Sequence, residues 1–204
     1  AGPAGQNGRR GLQPHTKLNG FPNGATIATS STRRKAQLQL VRPDLNIVEI
    51  RGNVATRMKK VADHAELDAT VLALAGLTRL NFTLSPDGTI HGNAVPAGLL
   101  ATVLDVDGML PCVGQAAIGL EIRSDDERIT KLCERLNHPD TFQCVTAERA
   151  FLAGMGGGCQ SPVAAYAEIT GDKIQMRAIS FRDGPARRAE GKRPVNEAAA
   201  LGEE

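Results

Sequence analysis

The sequence contains no tryptophan and a single tyrosine, Tyr166, in 204 residues. Proteins that bind single-stranded nucleic acid stack bases on aromatic side chains, so such a platform has little to be built from here. Cysteine is scarce as well. Cys112, Cys133, Cys144 and Cys159 stand 21, 11 and 15 residues apart, without the close C-x2–4-C pairs of a zinc site and without a disulfide framework. No apolar run reaches the ~18 residues of a membrane-spanning helix, and no secretory leader is recognisable. These absences lead us to expect a soluble, cytoplasmic protein with reduced thiols that binds no metal, membrane or nucleic acid. An excess of charge of one sign is missing too, since 24 basic residues face 22 acidic ones.

What is present is local. Residues 33–60 hold Arg33, Arg34, Lys35, Arg42, Arg51, Arg57, Lys59 and Lys60 against only Asp44 and Glu49, the kind of excess that a pocket for an anion needs. Periodicity places strands at Ala25–Ser30, Asn46–Ile50 and Asp68–Ala73, alternating with helices at Arg33–Val41, about Val54–Ala62 and from Gly76 onward. Ser31 or Thr32 caps the first of these helices. Alternation of this kind predicts a layered βαβ sheet, in which ligands bind at the carboxyl ends of the strands. Thr29, Ser30, Ser31, Arg33 and Arg34 fall at one such end, Arg51 to Arg57 at the next, and Arg79 after the third.

Further along, Pro86-Asp87-Gly88 turns a short hairpin, and Ala97–Leu104 is expected to be helical. Asp105-Val106-Asp107-Gly108 reads as a turn, because it lacks the other ligands of a calcium loop. Ser124-Asp125-Asp126-Glu127 is a capping box opening a helix to about Leu136. A second helix, Asp140–Ala153, leads to Gly156-Gly157-Gly158-Cys159-Gln160-Ser161-Pro162. Val163–Ile169 and Lys173–Ser180 form a hairpin, and a last helix closes a small α+β domain. Taken alone, the glycine run reads first as a helix C-cap followed by a small buried cysteine. The alternative is a loop that presents a reactive thiol on a rigid scaffold.

Several stretches resemble the porphobilinogen deaminase family, also called hydroxymethylbilane synthases. They are Thr29-Ser30-Ser31-x-Arg33-Arg34, Arg51-Gly52-Asn53-Val54-x-Thr56-Arg57, Ala75-Gly76-Leu77-x-Arg79-Leu80, Leu110–Glu121, Glu148-Arg149-Ala150-Phe151 and Gly157-Gly158-Cys159-Gln160-Ser161-Pro162. The resemblance implies that Cys159, in the family's GGCQ-P motif, carries a dipyrromethane cofactor through a thioether. It also implies that Thr29, Ser31, Arg33, Arg34, Arg51, Arg57 and Arg79 hold the acetate and propionate groups of cofactor and growing chain. Implied as well is an α/β fold of the periplasmic-binding-protein type, with an incomplete first domain, followed by the small α+β domain. On this basis we expect a loop at residues 1–24, an anion-binding α/β domain at 25–108, a return segment to the first domain at 109–123 and a cofactor-attachment domain at 124–204.

The activity that the resemblance implies is the stepwise condensation of four porphobilinogen molecules with release of ammonia, by a monomeric transferase of tetrapyrrole biosynthesis. The family's catalytic aspartate lies in an HS-KD-P motif. None of His15, His64, His91 and His138 opens such a motif, so we expect a fragment with no catalytic residue of its own. The alternative expectation is a non-catalytic anion-binding module of the same fold.

Overall fold

A computed structural model describes residues 2–3, 16–158 and 161–204. It divides the chain into two compact units, Ala1–Met109 and Leu110–Glu204.

The first unit is built on one short central strand. β1 (Gly2–Pro3) stands apart from it. β2 (Thr26–Ala28), β3 (Asn46–Val48) and β4 (Ala69–Thr70) form a parallel sheet in the order β3-β2-β4, with Ile27 level with Ile47 on one side and Ala69 on the other. α1 (Thr32–Val41) connects β2 to β3, and α2 (Val54–Asp63) connects β3 to β4. Because β3 and β4 flank β2 on opposite sides, right-handed crossovers put the two helices on opposite faces. The packing agrees. Ile27 clusters with Leu38 of α1 and Leu45, while Ala28 clusters with Met58 and Val61 of α2. Fully burying a side chain of the Ile27 or Leu38 type stabilises by about 1.5–3 kcal/mol. The entry to β2 is clamped from outside the sheet. Arg42 donates twice to Asp44 at 2.7 Å and once to the Leu18 carbonyl at 3.0 Å, and Asp44 accepts from Gly24 N.

After the short α3 (Leu74–Arg79), β5 (Thr83–Leu84) and β6 (Ile90–His91) make the hairpin expected around Gly88, whose φ is +84°. The helix expected at Ala97–Leu104 is absent. There β7 (Leu99–Leu100) pairs antiparallel with β1, and Ala101 N donates to Gly88 O. Gly98, at φ +77°, leaves the right-handed helical region within what would be the first turn, so the segment stays extended. Asp105–Gly108 is the turn read from the sequence, closed by Gly108 N and Met109 N on Asp105 O.

The second unit is an antiparallel meander backed by helices. β8 (Val163–Thr170), β9 (Lys173–Ser180) and β10 (Arg187–Pro194) lie in the order β10-β9-β8. α5 (Pro139–Gly154) and α6 (Ala198–Glu203) cover one face, where Ala147, Ala165, Ala167, Ile174, Met176, Ala178, Ala198 and Leu201 form the core. α4 (Glu127–Leu136) precedes them. Its N-cap is Asp126, whose carboxylate accepts from Ile129 N at 3.0 Å, so in place of the capping box expected from Ser124 the helix starts two residues later on a single side-chain cap. His138 caps α5 through Nδ1, which accepts from Thr141 N, with Pro139 in the first turn. β10 was absent from the sequence reading. Its residues are mostly exposed and mostly charged, so it is held by eight register pairs with β9 rather than by burial. Among the described residues no helix is long and apolar enough to cross a membrane.

Glycine governs how closely α6 approaches. A Cβ on Gly202 would run into the Ala147 carbonyl oxygen and lie 2.7 Å from Ala150 Cβ. Gly202→Ala therefore has to separate α5 from α6. We expect a loss of about 1–3 kcal/mol, read by urea unfolding as a lower midpoint with an unchanged slope.

Candidate functional site

The carboxyl ends of β2 and β3 are tied into one edge by backbone and hydroxyl groups. Thr29 N donates to Val48 O at 2.8 Å, continuing the ladder one residue past the strands. Beyond it, Ser30 Oγ donates to Ile50 O at 2.8 Å and accepts from Ile50 N at 3.1 Å. Thr29 is buried, and its Oγ1 accepts from Ser31 N. Ser31 Oγ in turn accepts from Arg34 N and so caps α1. These bonds turn the chain sharply from strand into helix.

Two arginines follow at once. Arg33 is only 5% exposed, on the buried face of α1 with Gln37 and Leu38. Arg34 reaches across the sheet and donates from Nη1 to Val71 O at 2.7 Å, one residue past β4. The Arg34 side chain therefore links the ends of β2 and β4, as Ser30 links those of β2 and β3. On the β3 side, Arg51 is exposed and pairs with Glu49 at 3.4 Å, while Arg57 donates from Nε to Gly52 O at 2.7 Å. Asn53 caps α2 by accepting from Thr56 N. Thr29, Ser31, Arg33, Arg34, Arg51 and Arg57 are thus gathered around adjacent strand ends. Arg79 lies instead in the last turn of the six-residue α3, at the far end of that helix from its strand.

In the second unit, the loop after α5 is framed on both sides of Cys159 and Gln160, which themselves lie outside the described residues. Gly156 sits at φ +60° and donates to Ala153 O, and Gly157 N donates to Leu152 O. Arg182 of the β9–β10 connection donates from Nη1 to the Met155 carbonyl. Ser161 N donates to Gly158 O at 2.9 Å, and Phe181 N donates to Pro162 O at 3.0 Å. Among the described residues, nothing lies within 4 Å of where a Cβ on Gly158 would stand. Cys112, Cys133 and Cys144 are free thiols of intermediate exposure.

Residues 11–131 match the family model described as the dipyromethane cofactor binding domain of porphobilinogen deaminase, and residues 142–204 match the model of its C-terminal domain. The chain is 41% identical over 197 residues to a porphobilinogen deaminase of Roseiflexus sp. (strain RS-1), covering 94% of this chain and 60% of that one. It is 44% identical over 184 residues to that of Paracoccus denitrificans (89% and 54%) and 45% identical over 165 to that of Geobacter sulfurreducens (80% and 47%). The chain belongs to the porphobilinogen deaminase family. It spans about half the length of the curated relatives it matches.

Porphobilinogen deaminases hold a dipyrromethane, and the segment matched to their cofactor binding domain contains all of Thr29 to Arg79 while ending before Cys159. The residues present fit such a group. Guanidinium groups pair with carboxylates in a planar, two-point contact, and several stand beside hydroxyls at one sheet edge. Among the described residues no group of three His, Cys, Asp or Glu side chains could hold a metal ion.

Glu148 was visible only as one letter of a motif, and its position makes it an organiser of the second unit. It is 6% exposed, and its two oxygens accept from Gly114 N at 2.7 Å and Ala167 N at 2.9 Å. One carboxylate thus joins α5, the 110–117 stretch and the outer edge of β8. Burial pushes its carboxyl above the usual range, outweighing the two amide donors that favour the ionised form. Between the unfolded and the raised folded value, the folded chain keeps a proton that the unfolded chain has lost. Stability from this group is therefore greatest on the acid side and falls as pH rises through that window. Glu148→Gln is expected to flatten this slope in urea titrations run across the window. Glu148→Ala leaves two buried amides unpaired and is expected to cost about 1–3 kcal/mol at every pH.

Proposed function

We propose that this protein works as a hydroxymethylbilane synthase. It condenses four porphobilinogen molecules, with release of ammonia, on a dipyrromethane primer anchored to Cys159, in tetrapyrrole biosynthesis. The observation that carries this reading is the gathering of hydroxyls and guanidinium groups at the joined ends of β2 and β3, in a chain of the porphobilinogen deaminase family.

Each residue has a part. Arg33, Arg34, Arg51, Arg57 and Arg79 pair with the carboxylates of the pyrrole side chains, and Thr29 and Ser31 complete the cradle with hydroxyl and amide groups. Arg33 acts from a buried position, where a charge-assisted bond is less screened than at the surface. Arg51, exposed and in a surface pair with Glu49, can change partners at little cost. The Cys159 thiolate forms one lasting thioether, which keeps the primer at high effective concentration. When bound, the dipyrromethane supplies the free pyrrole end at which the chain grows.

The same reading gives the first unit the periplasmic-binding-protein type of sheet. It takes 25–108 as the anion-binding domain, 109–123 as the return segment and 124–204 as the attachment domain, in a cytoplasmic monomer. The 204 residues hold no HS-KD-P motif, which favours one second reading, a non-catalytic anion-binding module. Intact mass separates the two. A covalent dipyrromethane mapped to Cys159, lost in Cys159→Ala and kept in Cys112→Ala, Cys133→Ala and Cys144→Ala, supports the synthase; its retention in Cys159→Ala overturns the anchor.

Two further outcomes follow from the residue roles. Arg51→Leu is expected to weaken porphobilinogen binding by ~1.5–3 kcal/mol while moving unfolding stability by less than ~0.5 kcal/mol, with Lys restoring only part of the binding. The 204 residues alone are expected to release no ammonia from porphobilinogen in a colorimetric assay. Turnover would mean that an aspartate such as Asp68, Asp105 or Asp126 is the catalytic acid.

A further inference from the structure

Glu49 and Arg51 flank a residue that is held from two sides. Ile50 is 3% exposed, and its N and O are both bonded to Ser30 Oγ, at 3.1 and 2.8 Å. Exposure alternates through the three residues, with Ile50 inward and both of its neighbours outward, so the neighbours share one side of the chain. The Arg51 end is held again from α2. Lys60 Nζ donates to Arg51 O at 3.1 Å and Arg57 Nε to Gly52 O at 2.7 Å, across a turn in which Gly52 takes φ +125°. The backbone thus sets Glu49 beside Arg51 in advance, and the Glu49 carboxylate accepts from Arg51 Nη2 at 3.4 Å. Between residues 25 and 60 the other acid is Asp44, which is engaged by Arg42 and Gly24 N near the amino ends of β2 and β3.

We propose that Glu49 is an internal competitor for Arg51, a carboxylate that an anionic ligand must displace from the guanidinium and that thereby weakens binding at this edge. The proposal rests on the reading of the edge as a site for pyrrole carboxylates. The exchange replaces one carboxylate by another on the same guanidinium, so the ligand gains only the difference between the two contacts. A side chain two residues away is never diluted, and it reclaims Arg51 as soon as a ligand carboxylate lets go. Such a competitor suits a site that binds a polyanion and must later release it.

The test is porphobilinogen binding to the 204-residue chain, followed by amide chemical shifts, for the unaltered chain and for Glu49→Gln. Gln keeps the size of the side chain and removes its charge. The account predicts a Kd lower by about two- to fivefold, the range of an exposed ion pair, with the urea midpoint unmoved. A merely structural role for Glu49 moves binding the other way, because disturbing the edge weakens the cradle. Glu66→Gln controls for net charge. The helix α2, about 15 Å long, stands between it and Arg51, beyond the ~8 Å over which charge acts at ~0.15 M salt, so this variant should leave the Kd in place. In an Arg51→Leu background, Glu49→Gln should leave the Kd unchanged, since the competition has lost its object.

Binding by Glu49→Gln no tighter than by the unaltered chain overturns the proposal. Tightening that Glu66→Gln reproduces, or that survives undiminished in the Arg51→Leu background, overturns it as well, because the cause is then overall charge. The reading of the edge fails separately. Shifts that leave out Thr29–Arg34 and Arg51–Arg57 refute that reading and the competition with it, whereas shifts at both stretches with an unmoved Kd in Glu49→Gln refute only the role of Glu49.

Discussion

One hydroxyl holds the edge on which the first unit's chemistry depends. Ser30 Oγ both donates to and accepts from the backbone of Ile50, so the ends of β2 and β3 are bound where the regular ladder has stopped. Each bond is worth about 1 kcal/mol net, a modest amount beside the burial of Ile27 or Met58. Its importance is geometric. Thr29 to Arg34 and Arg51 to Arg57 leave the sheet in register with each other, and Arg34 ties the same edge to Val71 beyond β4. Guanidinium groups set out in this way before a ligand arrives spare binding part of the cost of ordering them.

The second unit meets a different constraint. Its core is made mainly of alanines, with few large side chains to fill space, so its elements must approach closely. Gly202 lets α6 lie against α5, and Gly191 admits Leu201, toward whose Cδ1 a Cβ would come within 2.7 Å. Glu148 then fastens α5 to Gly114 and to the free edge of β8. A carboxylate so buried is costly by itself, and the two amide donors offset much of that cost. The loop after α5 is thereby reached from a helix whose position is fixed on several sides.

The parallel core was legible because hydrophobic period and turn chemistry agreed. β2, β3 and β4 fall within the strands expected, and α1 and α2 begin within one residue of the expected starts. What was not legible depended on partners remote in sequence. Ser30 becomes important only through its register with Ile50, and Glu148 only through Gly114 and Ala167. β10 carries no apolar alternation, so its pairing could not be read from pattern. Ser124 and Asp126 can each cap a helix, and nothing local chooses between them. Cys159 and the family motifs were plain, since glycine runs and spaced arginines survive as strings without any knowledge of contacts.

The central claim is that the joined strand ends bind pyrrole carboxylates, and it is tested most directly by amide chemical shifts as porphobilinogen is titrated into the 204-residue chain. The account predicts shifts concentrated at Thr29–Arg34 and Arg51–Arg57, weakening as salt is raised, and lost from both stretches when Arg33 is replaced by Leu. Shifts confined to other surfaces, or none at concentrations that saturate binding to the longer relatives, would contradict it.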